Sequence, residues 1–149
     1  MNDSRENLNA FLVKMFQNLM KIESDALIQG EYRDITVRDM HILEEICRAE
    51  TTKNNQMTSL AQELGVTTGT LTVAVNGMVK KGYLERSRDE KDRRIVRIFS
   101  TEQGRMANMV HAKFHEDMVE AIMNELPENE VFVLVDALKA VSRYFESKR

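Results

Sequence analysis

Residues 65–86, Gly65-Val66-Thr67-Thr68-Gly69-Thr70-Leu71-Thr72-Val73-Ala74-Val75-Asn76-Gly77-Met78-Val79-Lys80-Lys81-Gly82-Tyr83-Leu84-Glu85-Arg86, decide how this chain folds. Leu71, Val75 and Met78 recur at helical spacing, so they predict a helix with one apolar face. Either Thr67 or Thr68 offers a hydroxyl to cap its start. After Gly82 the apolar period changes from that of a helix to two, and Tyr83-Leu84-Glu85-Arg86 reads as a strand. Just upstream, Leu60, Ala61 and Leu64 mark a short helix closed by Gly65, the residue type that most easily takes the left-handed geometry at a helix end. Just downstream, the charged turn Asp89-Glu90-Lys91-Asp92 leads into a second strand, Ile95-Val96-Arg97-Ile98-Phe99. Two helices, then a β-hairpin with a charged tip, give the order of a winged helix-turn-helix.

The flanks extend this pattern with more helix. Leu8, Phe11, Leu12, Met15, Phe16, Leu19 and Ile22 form an apolar stripe that fades near Gly30. Thr36 is placed to cap a second helix through Met40, Leu43, Ile46 and Cys47, and the polar residues 50–56 read as a loop. Ser100 or Thr101 can cap a long fifth helix carrying Met106, Met109, Val110, Phe114, Met118 and Ile122, with Gln103 completing a capping box from Ser100. Pro127 then opens a sixth helix with Val131, Leu134, Val135, Leu138, Val141 and Phe145 on one face. The expected class is mostly α with a small β wing: six helices plus a hairpin in one domain over residues 1–149. Residues 35–100 would form the winged helix-turn-helix. The apolar stripes of 1–30 and 102–149 exceed what one small winged helix can cover, so these segments are expected to build an intertwined homodimer.

The charge distribution narrows the function. The whole chain carries a formal charge of −3, which does not suit indiscriminate nucleic-acid binding. Between Lys80 and Arg97, however, eight basic residues face four acidic ones, while the remainder is strongly acidic. A solvated surface and a DNA-facing patch both fit such a run taken alone. No apolar segment approaches the roughly 20 residues of a membrane span, and the opening residues lack the basic-then-apolar layout of an export signal. A cytoplasmic location without membrane contact is therefore expected. A single cysteine, Cys47, suits a reducing compartment. The sequence has no phosphate-binding glycine loop, no nucleophile elbow and no histidine spaced to a carboxylate and a nucleophile, so no enzymatic activity is expected.

On the helix centred on Leu71, Val75 and Met78, the opposite face presents Gly69, Val73, Asn76 and Lys80, flanked by Thr70, Thr72 and Gly77. Asparagine can pair with adenine through two hydrogen bonds, and threonine and valine can touch a thymine methyl. The predicted DNA-binding set is Thr67, Thr68, Gly69, Thr70, Thr72, Val73, Asn76 and Lys80 on the helix, with Arg88, Arg93 and Arg94 on the wing. An arginine at a hairpin tip can enter a narrow minor groove. Asp92 beside them would repel phosphate unless it pairs with an arginine and orients it.

Gly69-Thr70-Leu71-Thr72, Lys80-Lys81-Gly82-Tyr83-Leu84-Glu85-Arg86, Asp92-Arg93-Arg94 and Ser100-Thr101-Glu102-Gln103-Gly104 together resemble the signature of the MarR family of transcriptional regulators. The resemblance spans essentially the whole chain. One departure is Phe99, where many family members carry leucine or valine. It implies a sequence-specific regulator whose two copies bind a pseudo-palindromic double-stranded operator. Asp34-Ile35-Thr36-Val37-Arg38-Asp39-Met40-His41 and the run from His111 to Glu120 resemble the branch that represses bacterial fatty-acid-synthesis genes. That branch implies control by long acyl chains on acyl carrier protein. For an acyl pocket the residues offer Phe16, Leu19, Met40, Leu43, Met109 and Phe114, and for docking an acidic carrier Arg33, Arg38 and Lys113. Repression relieved by a small aromatic ligand, an oxidant or a metal is the alternative within the family, and a winged helix used only for protein contacts is the alternative outside it. The operator, the controlled genes and the direction of the effector's action stay open at this level.

His111 and His115 stand four residues apart on one helical face, acceptable spacing for a metal. Two histidines without a cysteine partner are more often structural, and the expectation is no metal and no cofactor. Cys47, beside Leu43 and Ile46, reads as an inert apolar filler. The ten methionines read first as adaptable packing, and second as the lining of a deformable apolar site.

Overall fold

The computed structural model describes residues 2–149 and orders them as α1 (Asn2–Gln29), α2 (Val37–Thr51), α3 (Met57–Leu64), α4 (Thr68–Lys80), β1 (Leu84–Arg88), β2 (Val96–Ser100), α5 (Glu102–Glu125) and α6 (Glu128–Glu146). The chain divides into two compact units, one running to Met109 and the other from Val110 onward.

In the first unit, α2 begins where its caps dictate. The Thr36 hydroxyl accepts from the Asp39 amide and the Asp39 carboxylate accepts from the Thr36 amide, both at 3.1 Å, which satisfies two otherwise orphaned donors. The helix runs to Thr51, so part of the expected loop of 50–56 is its last turn. Gly65 ends α3 at φ 68°, the left-handed region where a side chain would crowd the backbone. Of the two candidate caps for α4, Thr67 is the one used, accepting from the Thr70 amide at 3.1 Å.

Leu71, Val75 and Met78 are buried on the inner face of α4 as their spacing requires. They join Met40, Leu43 and Ile46 of α2, Leu60 and Ala61 of α3, and Leu84 and Ile98 of the hairpin in one core. The antiparallel hairpin pairs Leu84 with Ser100 and Arg88 with Val96, so each strand begins one residue later than the apolar alternation implied. That shift changes how α5 starts. Ser100 is the last residue of β2, and its amide and hydroxyl both donate to the Glu50 carboxylate, so it caps nothing. Thr101 performs that role by accepting from the Gly104 amide at 3.1 Å, and the expected Ser100–Gln103 capping box does not form. Gly104 is needed here because a Cβ would lie 2.2 Å from the Tyr83 carbonyl oxygen.

In the second unit, α6 starts immediately after Pro127 and contains no buried residue, leaving Phe132, Val133, Val135, Leu138 and Phe145 exposed. No helix among the described residues is long and apolar enough to cross a membrane.

Candidate nucleic-acid interface

The outer face of α4 and the β1–β2 hairpin are the two parts of the predicted site, and both lie in the first unit. On α4, Thr68, Gly69, Thr70 and Lys80 are exposed, and Val73 is 73% exposed, which leaves its methyls open to a groove. Two hydroxyls are partly committed to the helix itself. Thr67 caps it and also donates to the Thr70 hydroxyl at 2.9 Å, while Thr72 donates to the Thr68 carbonyl at 2.6 Å. Thr72 therefore offers lone pairs and a methyl, but not a free donor. Asn76 is half-buried, and its Oδ1 is covered without a hydrogen-bond partner. Reading adenine through both carboxamide atoms would require this side chain to rotate.

The hairpin tip is tied together by carboxylates. Asp89 accepts from the amides of Lys91 and Asp92 and pairs with Arg97 Nε at 3.1 Å. The Arg97 contact, followed by these amides, holds the Asp89 carboxyl below the usual carboxylate range. Asp92 accepts from Arg94 Nε and Nη2, both at 3.0 Å, and its pKa is lowered chiefly by this contact. The Arg94 side chain so held is 91% exposed. Arg93 is exposed, whereas Arg88 donates from Nη1 to the Arg93 carbonyl at 3.0 Å and so partly serves the wing backbone.

Between α4 and the hairpin, Met57, Thr72, Arg86, Ser87, Arg88 and Val96 line an open cleft of about 390 Å³. Arg86 and Ser87 were not among the residues expected to touch DNA, since an exposed strand residue has no periodic signature beyond pointing outward. Asn55 was also not visible there. It lies within the polar 50–56 stretch, yet it is 2% exposed. Its Nδ2 donates to the Ile98 carbonyl at 2.7 Å, and the Ile98 amide donates back to the Asn55 carbonyl at 3.0 Å. These bonds fix the root of the wing against the segment between α2 and α3.

The residues proposed for an apolar ligand differ in their burial. Met40 and Leu43 are sealed in the winged-helix core, while Phe16 and Met109 are exposed and Leu19 is half-buried. Phe114, in the second unit, is half-buried. Arg33 and Arg38 are exposed, and Lys113 is engaged by Asp117. Cys47 is half-buried, and desolvation pushes its thiol pKa up, which favours the unreactive protonated form.

Comparison with known proteins agrees with this arrangement. The sequence pattern of the MarR family matches residues 33–95. The Streptococcus pneumoniae FabT structure, determined in complex with DNA, is 32% identical, with a TM-score of 0.89 over 97% of this chain and 99% of that one. The transcriptional regulator BldR from Sulfolobus solfataricus is 27% identical, with a TM-score of 0.65 over 95% and 96% of the two chains. The S. aureus MepR–DNA complex shares the fold at 21% identity, with a TM-score of 0.74 over 91% and 96%. Among proteins of curated function, none matches the sequence. With its winged helix, its basic hairpin and a likeness that runs nearly end to end, the chain belongs to the MarR family of DNA-binding transcriptional regulators.

Proposed function

We propose that this protein is an operator-binding repressor acting as a two-fold dimer, with α4 of each copy in a major groove and each wing in the adjoining minor groove. The observation that carries this reading is the pairing of a groove-sized outer face on α4 with an exposed Arg94 clamped at the hairpin tip. Dimerisation is supported by large apolar side chains left exposed on single elements, Leu8, Phe11 and Phe16 on α1 and Phe132, Val133 and Phe145 on α6. Two-fold proteins read two-fold sites, so half-site centres should lie about 10 base pairs apart or at a small multiple of that spacing.

The test is selection of genomic fragments on the purified protein, followed by titration of the selected site at several salt concentrations. Operator binding should lose affinity steeply as salt rises. A salt-independent affinity, or no enrichment of any fragment, would point to a protein-interaction module instead.

We further infer that the regulated process is fatty-acid synthesis and that long acyl chains on acyl carrier protein strengthen operator binding. The likeness to FabT over nearly the whole chain supports this, as does the exposed Met109, which offers apolar surface to a flexible chain. Each buried methylene contributes about 0.8 kcal/mol, so operator affinity should climb with acyl length until the apolar surface is used up. Such an effector must favour the DNA-competent spacing of the two heads, because equal affinity for all spacings shifts nothing. Titration with carrier protein bearing successive chain lengths, against unacylated carrier, decides it. Absence of any length dependence would remove the fatty-acid reading and leave the regulator intact.

A further inference from the structure

The second unit contains a feature that DNA binding does not use. His111 and His115 lie one helical turn apart on α5, and their Nε2 atoms face each other at 3.2 Å. Their ring centroids are 4.5 Å apart, and the rings meet nearly edge to face at 81°. Phe114 packs against the His115 ring at 5.5 Å and 84°, limiting its swing. His111 is only 6% exposed.

Two imidazole nitrogens can approach this closely for two reasons. One ring can donate its Nε2 proton to the other, or both can direct lone pairs at a shared cation. Two nitrogens each about 2.0–2.1 Å from one tetrahedral zinc ion stand about 3.3 Å apart, so the observed separation already matches that of two ligands on one ion. Histidines four apart on a helix hold this geometry at little conformational cost, because both side chains rise from one rigid face. Imidazole is a ligand suited to zinc, copper, nickel and iron, and far less to calcium or magnesium.

We propose that His111 and His115 form a chelating pair for a divalent transition-metal ion of the zinc class, bound through both Nε2 atoms with the Nδ1–H tautomer on each ring. Water or other groups complete the coordination.

The experiment titrates Zn2+ into the full-length protein, freed of metal by chelation, with a chromophoric competitor reporting free ion. One ion per chain is expected, and Co2+ should give visible absorption on the same site. Loss of a direct ligand costs at least what loss of an outer partner does, so His111→Ala and His115→Ala should each weaken Zn2+ by about ten-fold or more. His115→Gln, closer in size, gives the same readout should an alanine variant fold poorly. Imidazole 15N shifts of the unaltered protein on adding Zn2+ report Nε2 coordination without any substitution. Zinc affinity unchanged in the His111 and His115 variants would overturn the proposal. So would Nε2 resonances that do not move with Zn2+, since the close approach would then be a shared proton.

Discussion

Asp92 grips Arg94 three times, accepting from its Nε and Nη2 at 3.0 Å and from its amide at 3.1 Å. An exposed ion pair adds little to stability, so the effect of this one is to hold the guanidinium in a fixed direction. Counted only as charge, Asp92 opposes DNA binding. If the clamp pre-orients Arg94, Asp92→Asn should instead bind operator about two- to ten-fold more weakly, because DNA must then order a free side chain. Fluorescence anisotropy at constant salt checks the sign. The lowered carboxyl pKa sets the pH window: the clamp is complete above about pH 4, the unfolded carboxylate value, and is lost as pH falls through the lower folded value. Carboxyl 13C shifts followed through acid titration report that loss.

Wing and helix should fail in different ways. Arg93→Ala and Arg94→Ala are expected to weaken operator and random DNA together and to lower the salt slope by about one each. Asn76→Ala is expected to cost about 1–3 kcal/mol on the preferred operator and far less on random DNA. It should leave folding stability unchanged or slightly raised, because the side chain it removes carries an unpartnered buried oxygen. Equal losses on both DNAs for all three variants would show that α4 does not read bases. Thermal melts supply the stability arm.

Gly77 is not required by the fold. A Cβ there meets nothing within 4 Å, and at Gly69 the nearest contact is an ordinary 3.9 Å to the Thr67 hydroxyl. Gly77→Ala should therefore stabilise the protein by about 0.5–1 kcal/mol through helix propensity. If the glycine is kept for close approach to a phosphate backbone, the same substitution should weaken DNA binding. Chemical denaturation and DNA titration on one preparation test both halves, and unchanged affinity would reject the close-approach explanation.

Tyr83 donates its hydroxyl to Asp34 Oδ1 at 2.5 Å, and Lys81 donates to the Asp34 carbonyl, tying the start of the wing to the segment before α2. Burial, then the Asp34 carboxylate, pushes the phenol pKa up from 10.0 to about 12. Because the folded value is raised, this contribution to stability is complete below about pH 10 and is lost as pH rises through about 12. Absorbance at alkaline pH should show a late-titrating phase from Tyr83, and Tyr83→Phe should abolish it. The same substitution should cost about 1.5–3 kcal/mol, since it removes a hydrogen bond to a charged acceptor.

Much of the fold can be read in the sequence because short-range physics writes it there. The inward face of α4 follows from the spacing of Leu71, Val75 and Met78, the start of α2 from the Thr36 hydroxyl, and the end of α3 from the backbone freedom of Gly65. Each depends on neighbours within one or two helical turns. The charged hairpin and the exposed face of α4 were legible for the same reason. What tertiary structure decided lies in contacts between residues far apart in sequence. Whether Ser100 or Thr101 capped α5 depended on Glu50, fifty residues away, which takes the Ser100 donors and leaves Thr101 to the helix. Asn55 looked like any loop residue until Ile98 closed over it, forty-three positions later. Met40 and Leu43 have a composition that suits a ligand lining and the core equally well. Only the packing of α3, α4 and the hairpin against α2 assigned them to the core, because burial is set by which surfaces meet, and local spacing does not specify that.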